Sequence, residues 1–315
     1  MPLIRETLAH VEIGVPVCHD NLALFPLLST APAEARYLTL DDALAHGQCA
    51  VSEVSEGGVV AELRFENRSA QPILLLDGEE LVGAKQNRVL NLTILCGGTL
   101  QINIPVSCVE QGRWRYRTKQ FHAAGRTLYS RARAAKMQSV NESMMLSSSR
   151  RSDQGQVWDH IAAKQRRMAA HSDTGAAESI YEKARPTTEA FVRAMPPLPG
   201  QVGGVFVVNG AISGIELFDA ASTYAKVAAK LVESFALDAI DVDARDPRPV
   251  TRQEVAAFLE RVCAVPPQSV KAVGLGHDLR LASESLVGGG LEVDAKLVHF
   301  SAFNVAPASG LSPSH

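Results

Sequence analysis

Apolar and polar residues alternate with a period of two through much of the first third of the chain, and this pattern predicts strands. The clearest example is VVAELRFENRS at 59–69, which indicates a half-buried antiparallel strand. A second run, RVLNLTIL at 88–95, is followed by Gly97 and Gly98 and then by TLQINIPV at 99–106. This arrangement is typical of two strands joined in a hairpin. Shorter β-favourable runs lie at 10–17, 35–40 and 49–54.

The middle of the chain changes to helical spacing. Residues 154–195 carry apolar side chains at helical intervals, which predicts helices there. Pro186 is expected to begin one of them, because proline is favoured at the first helical position. Residues 221–240 have the strongest helical period, and Thr251 is the expected N-cap of a helix over 252–263.

Strands return on either side of these last helices. Residues 203–217 predict two strands around an Asn209-Gly210 turn, and 269–304 form a closing run of strands. The order of strands, helices, a strand pair, helices and strands is typical of an α+β fold with antiparallel pairing. We therefore predict a largely antiparallel sheet with flanking helices.

We expect one α+β domain over residues 1–315. Residues 118–152 are the exception, because serines and arginines replace the periodic pattern. This segment is predicted to be a flexible Ser/Arg-rich insertion that contains a short helix at 127–137.

Composition restricts the classes of function. The chain has 315 residues, is 46% hydrophobic and 21% charged, and has a formal net charge of -3. No apolar run approaches the ~20 residues of a membrane span, and the N-terminus lacks a signal-peptide pattern. Five scattered cysteines without CxxC spacing favour reduced thiols. We expect a cytoplasmic protein that does not bind membranes, and nucleic acid is an unfavoured partner.

Charge is nevertheless distributed unevenly. Residues 111–167 contain thirteen lysines and arginines but only three acidic residues. Such a basic segment can be a solvated loop, the partner of internal acidic residues or, less often, an anion site.

Two polar clusters stand at the ends of predicted strands, where scaffolds usually present chemistry. The first cluster consists of Asp77, Glu79, Glu80, Lys85, Gln86, Asn87 and Arg88. The second consists of Ser107, Cys108, Glu110, Gln111, Arg113 and Trp114. Charges at this density are costly to bury unless each is paired, which suggests either a solvated turn or a built site.

The carboxylates of these clusters are the candidate catalytic groups. Glu79 and Glu80 are adjacent, so on a strand they point to opposite faces and only one can enter a shared site. Either one, or Glu110, could act as a general base or stabilise a sugar cation. Cys108 is a further catalytic candidate if Arg113 lowers its pKa, although a buried structural cysteine is the favoured interpretation.

The remaining cluster residues are candidates for substrate binding. Lys85 and Arg88 could hold phosphate oxygens, while Gln86 and Asn87 could hold sugar hydroxyls. Trp114 could stack a purine, although GRWRYR at 112–117 is equally typical of an amphipathic edge strand. The expected substrate-binding residues are Asp77, Lys85, Gln86, Asn87, Arg88, Asn91, Arg113 and Trp114.

Cofactor motifs are largely missing from the sequence. No HExxH, HxH or Cys/His cluster supports zinc, and no GxxxxGK[ST] or GxGxxG supports a standard nucleotide loop. Trp114 stands six positions after Cys108, where a phosphatase loop requires arginine. The sequence leaves open whether Asp77, Glu79 or Glu80 binds a magnesium ion, because Mg²⁺ needs only one or two carboxylates.

LDGEELVGAKQNRVLN at 76–91, followed by IPVSCVEQGRWRY at 104–116, resembles the ARG and rhodanese-phosphatase-superfamily-associated protein domain, where ARG denotes ADP-ribosylglycohydrolase. Residues 205–219 and 274–304 are also similar to that family. The resemblance implies a link with NAD or ADP-ribose metabolism by association, and it assigns no chemistry to any residue.

Three hypotheses follow from these observations. The first is an enzyme that hydrolyses or transfers at a ribose-linked bond of an NAD-derived nucleotide such as ADP-ribose. The second is a non-catalytic module that binds such a nucleotide. The third is a structural protein that binds a partner through the basic segment 111–167. The sequence leaves the oligomeric state open.

Overall fold

The computed structural model of the protein describes residues 2–31, 33–241 and 248–305. The helices of this part are α1 (Pro2–Ala9), α2 (Leu40–Ala45), α3 (Ser130–Ser147), α4 (Gln154–Arg167), α5 (Glu178–Ala194), α6 (Ala221–Ile240) and α7 (Arg252–Ala264). The strands of the first half are β1 (Val11–Ile13), β2 (Val17–His19), β3 (Leu22–Ser29), β4 (Leu38–Thr39), β5 (Cys49–Glu53), β6 (Glu62–Asn67), β7 (Ile73–Leu75), β8 (Glu79–Gly83), β9 (Arg88–Leu90), β10 (Ile94–Cys96), β11 (Gln101–Cys108) and β12 (Phe121–Thr127). Those of the second half are β13 (Gln201–Val208), β14 (Ala211–Phe218), β15 (Gln268–Lys271), β16 (His277–Ala282), β17 (Leu286–Val293) and β18 (Lys296–Asn304).

A nine-stranded antiparallel sheet forms one part of the molecule. Its strand order is β1-β3-β13-β14-β18-β17-β16-β15, and β2 also pairs with β3. The predicted Asn209-Gly210 turn joins β13 to β14, and both residues have positive φ angles, of 49° and 75°. This geometry is the reason that Asn-Gly is favoured in two-residue hairpin loops.

Helices cover both faces of the nine-stranded sheet. On one face, Phe235 of α6 stacks on Phe206 of β13 with ring centroids 3.9 Å apart. On the other face, Val255 and Phe258 of α7 pack with Val205 of β13. Alternate residues of a strand point to opposite faces, so β13 contributes to both cores.

A six-stranded sheet in the order β12-β8-β9-β11-β6-β5 carries the polar clusters, and a three-stranded sheet, β10-β7-β4, lies beside it. The predicted single strand at 88–95 is wrong, because β9 and β10 belong to different sheets. The hairpin around Gly97 and Gly98 is also wrong: β10 pairs with β7, whereas β11 pairs with β6 and β9.

Two helix predictions also need correction. Pro186 lies inside α5 and does not begin a helix. The short helix predicted at 127–137 belongs to α3, which has 18 residues and buries nine of them, among them Arg133 and Lys136. Two further statements stay predictions. One is that residues 118–152 form a flexible insertion, and the other is that the chain is one domain.

The α+β class with a largely antiparallel sheet is confirmed. Thr251 caps α7 as predicted, in a capping box with Glu254. None of the helices in the described ranges is long and apolar enough to cross a membrane.

Candidate functional site

Many charged side chains are buried in this protein, and most of them are neutralised in pairs. The predicted catalytic residue Glu79 accepts a hydrogen bond from Lys230 of α6 at 2.7 Å, and Glu80 accepts one from Arg126 of β12 at 2.6 Å. The two glutamates point to opposite faces of β8, as expected. Burial raises the pKa of both carboxyls, although their basic partners oppose this shift.

Glu110 is also paired with a buried basic residue. Arg113 donates to its carboxylate at 2.6 Å, the backbone N–H of Asn87 donates at 3.1 Å and the Thr174 hydroxyl donates at 2.9 Å. Burial alone would raise the pKa of Glu110, but these donors lower it below its usual range. The predicted substrate-binding Arg113 thus contacts an internal carboxylate.

Asp77 belongs to a separate network beneath α3. It accepts a hydrogen bond from Lys136, and the Arg133 guanidinium lies 3.6 Å away. Arg133 also donates to Glu216 at 2.6 Å, and Glu216 in turn contacts His299 at 3.1 Å. The carboxylates predicted as magnesium ligands therefore contact four different cations, Lys136, Arg133, Lys230 and Arg126. No group of three potential metal-ligating residues is found within the described ranges.

These pairs account for part of the basic segment 111–167. Five of its basic side chains lie in the interior and contact acidic residues: Arg113, Arg126, Arg133, Lys136 and Lys164. The interpretation of the segment as a partner for internal acids is thus supported for these five residues.

Three buried charges have no ion pair among the residues that the structure describes, and they lie together. They are Glu53 at the end of β5, Lys85 in the β8–β9 turn and Arg88 at the start of β9. Lys85 Nζ lies 5.3 Å from the centre of the Trp114 ring, and Arg88 Cζ lies 5.6 Å from it. The backbone N–H of Lys85 donates to Glu53 Oε1 at 3.4 Å.

Arg88 has one occupied edge and one free edge. Its Nη1 donates to Gln86 Oε1 at 3.0 Å, whereas Nε and Nη2 are buried and find no partner in the described part of the chain. Nε and Nη2 form the side of a guanidinium that donates two parallel hydrogen bonds to a carboxylate or phosphate. Burial lowers the pKa of Arg88, and the nearby Cys108, Glu53 and Glu110 oppose this shift only in part.

One of the three predicted amide side chains, that of Gln86, contacts Arg88. Gln86 Nε2 donates to the carbonyl of Glu110 at 3.0 Å, so both polar ends of Gln86 are occupied. Asn87 accepts from Arg113 at 3.1 Å. Asn91 lies elsewhere, where it accepts from Ser107 at 2.6 Å and donates to the carbonyl of Arg150 at 3.0 Å.

Cys108 pairs with Arg88 in the sheet and is fully buried. Burial raises the pKa of its thiol, and Arg88 opposes that shift only in part. The thiol is therefore protonated at neutral pH, which supports the interpretation of Cys108 as a structural residue.

Two aromatic rings cover the unpaired charges. Trp114 and Tyr116 are 45% and 48% exposed, and the Lys85 ammonium lies 5.3 Å and 5.1 Å from their ring centres. The segment that holds them is irregular, so its prediction as an edge strand is wrong. Both rings reach solvent, and the Trp114 ring also lies against the buried guanidinium of Arg88.

Sequence reasoning missed Glu53 and Gly58 as parts of this site. Gly58 has a φ of +73°, and Lys85 Nζ donates to the neighbouring carbonyl of Gly57 at 2.8 Å. An acidic residue at a strand end followed by a Gly-Gly turn is the signal that could have identified this loop.

No curated protein and no solved structure matches this chain. One family model does, and it covers residues 10–303. The chain therefore belongs to the ARG and Rhodanese-Phosphatase-superfamily-associated Protein domain family.

Proposed function

We propose that this protein binds an NAD-derived nucleotide of the ADP-ribose type and acts on its ribose-linked bond. The observation that carries the proposal is the buried Nε–Nη2 edge of Arg88, which has no hydrogen-bond partner among the described residues. An isolated charge in the interior costs several kcal/mol unless a partner compensates it. A phosphate oxygen pair on this edge would supply that partner.

The surroundings of Arg88 suit the rest of such a ligand. Lys85 offers a second cation for a diphosphate, and the half-exposed Trp114 ring adjoins both cations. An indole face can stack a nucleobase while its edge stays in water. The family name, which refers to ADP-ribosylglycohydrolase, points to the same class of ligand.

Arg88→Lys tests the anion site. Lysine keeps the charge but cannot donate two parallel hydrogen bonds, so the Kd for ADP-ribose should rise about 10-fold or more. Isothermal titration calorimetry measures this change. Arg115→Lys is the matched control, because the Arg115 side chain is exposed on the neighbouring segment. Equal affinity of wild type and Arg88→Lys would contradict the proposed site.

A non-catalytic binding module is the second candidate. It is favoured by the ion pairs of Glu79, Glu80 and Glu110, because these carboxylates already contact cations of the protein itself. Incubation with NAD, ADP-ribose and related nucleotides, with and without Mg²⁺, followed by mass spectrometry, separates the two candidates. A new product supports the enzyme, and binding without any product supports the module.

A further inference from the structure

Glu53 is the one buried acidic residue in the described ranges that lacks an ion pair. Its Oε1 accepts the backbone N–H of Lys85, and its Oε2 is buried with no hydrogen-bond partner there. A structural role would normally satisfy both oxygens of a buried carboxylate. What distinguishes Glu53 from the other buried carboxylates with a partnerless oxygen is that no cation of the described residues forms an ion pair with it.

Gly58 shows where this oxygen lies. A Cβ atom added to Gly58 would stand 3.1 Å from Glu53 Oε2, 3.3 Å from Lys85 Cδ and 3.3 Å from Trp114 Cζ2. The carboxylate, the lysine stem and the indole thus surround one point. The same indole also covers the guanidinium of Arg88, so the acceptor and the anion site share one aromatic wall.

We propose that Glu53 is the catalytic carboxylate of this site and that the substrate is a nucleotide whose ribose is bonded to a pyridinium nitrogen. This inference rests on the function proposed above. Arg88 and Lys85 hold the phosphate groups, and Glu53 Oε2 contacts the water that attacks the ribose.

The type of leaving group follows from the number of free carboxylates. Glycosidases that cleave bonds to oxygen commonly use two carboxyl groups, one of which protonates the departing oxygen. Within the described residues, only Glu53 is buried without a basic partner. A pyridinium nitrogen needs no proton, because it leaves as a neutral ring, so a single carboxylate suffices.

The reaction is a hydrolysis. The water oxygen forms a bond to the anomeric carbon of the ribose while the bond from that carbon to the pyridinium nitrogen breaks. The electron pair of the broken bond stays on the nitrogen, which becomes neutral. Glu53 takes the proton that the water loses and later releases it to solvent.

The experiment compares wild type with Glu53→Gln in the hydrolysis of NAD, with Glu56→Gln as control, because Glu56 is an exposed residue of the same loop. In Glu53→Gln, kcat should fall about 100-fold or more. Its KM and its Kd for ADP-ribose should stay close to wild type. Glu53→Ala should regain turnover when formate is added, which a structural carboxylate would not allow.

The outcomes separate this inference from the proposed function. If wild type binds ADP-ribose but releases no nicotinamide from NAD, or if Glu53→Gln turns over normally, the role of Glu53 is overturned and the binding site stands. If wild type cleaves an O-linked ADP-ribosyl glycoside and not NAD, the pyridinium assignment is overturned. If wild type binds no such nucleotide, the proposed function itself fails.

Discussion

Lys230 extends from α6 into the interior, where its ammonium contacts Glu79 at 2.7 Å and Asp41 at 2.5 Å. One helical turn earlier, Lys226 forms a similar pair with Asp42 at 2.7 Å, but its side chain is half exposed. The two lysines thus make the same type of contact in different surroundings. Burial decides how much each contact contributes to stability.

Lys230→Met tests this difference. The change leaves Glu79 buried without its cation, so the free energy of unfolding should fall by about 3–5 kcal/mol. Lys226→Met is the matched control and should cost less than about 1 kcal/mol. Urea denaturation followed by circular dichroism measures both values. Equal effects of the two substitutions would mean that the interior pair contributes no more than the exposed one.

The sequence identified only some of the residues of the candidate site. Lys85, Arg88 and Trp114 were recognised because they belong to the two dense polar clusters. The ion pairs of Glu79 and Glu80 could not be predicted, since Lys230 and Arg126 lie far along the chain. Glu53 was missed because a single glutamate at a strand end carries no distinctive pattern.

Among the helices, strands and turns, the sequence predicted correctly those that depend on interactions between residues close together in the chain. The Asn209-Gly210 hairpin, α6 and the Thr251 cap of α7 depend on neighbouring residues and were predicted correctly. The single strand predicted at 88–95 is wrong. The alternation of apolar and polar residues continues there, although the chain passes from the six-stranded sheet to the three-stranded sheet. That passage depends on long-range contacts, such as the hydrogen bond between Thr93 and His299 at 2.8 Å.

The junction between β14 and α6 carries a carboxyl group whose charge state depends on pH. Tyr37, just before β4, donates to Asp219 at 2.5 Å, and Thr223 of α6 contacts the same tyrosine hydroxyl at 3.0 Å. Burial raises the pKa of Asp219 to about 6. Burial at this junction therefore disfavours the ionised form of Asp219 relative to its protonated form.

Asp219→Asn should remove a specific pH dependence of stability. The raised pKa means that the folded protein binds this proton more tightly than the unfolded chain does. The contribution is thus complete below about pH 4 and is lost as the pH rises through about 6, with an amplitude of about 3 kcal/mol. Urea titrations between pH 4 and pH 7.5 should show a smaller decline for Asp219→Asn than for wild type. Parallel profiles would argue against the shift.

At the scale of the whole molecule, buried ion pairs connect the sheets. Arg133 of α3 contacts Glu216 in the nine-stranded sheet and lies near Asp77, just before the six-stranded sheet. Lys230 of α6 reaches Glu79 of the six-stranded sheet. Electrostatic attraction therefore contributes to the contact between the two sheets, alongside apolar packing.

Added salt should have little effect on this arrangement. Mobile ions screen charges in water far more than charges in the interior. Raising NaCl from about 0.05 M to about 0.5 M should change the free energy of unfolding by less than about 1 kcal/mol. Urea denaturation at the two concentrations measures the change. A loss of several kcal/mol would show that ions reach these pairs.

The pairing of Glu79 with Lys230 also constrains how this sequence can change over generations. A single substitution at position 230 leaves the Glu79 carboxylate buried without its cation, at a cost of about 3–5 kcal/mol. Most proteins have only about 5–15 kcal/mol of stability in total, so few lineages could pass through such an intermediate. Among relatives, positions 79 and 230 should therefore vary together or not at all, however much the exposed surface diverges.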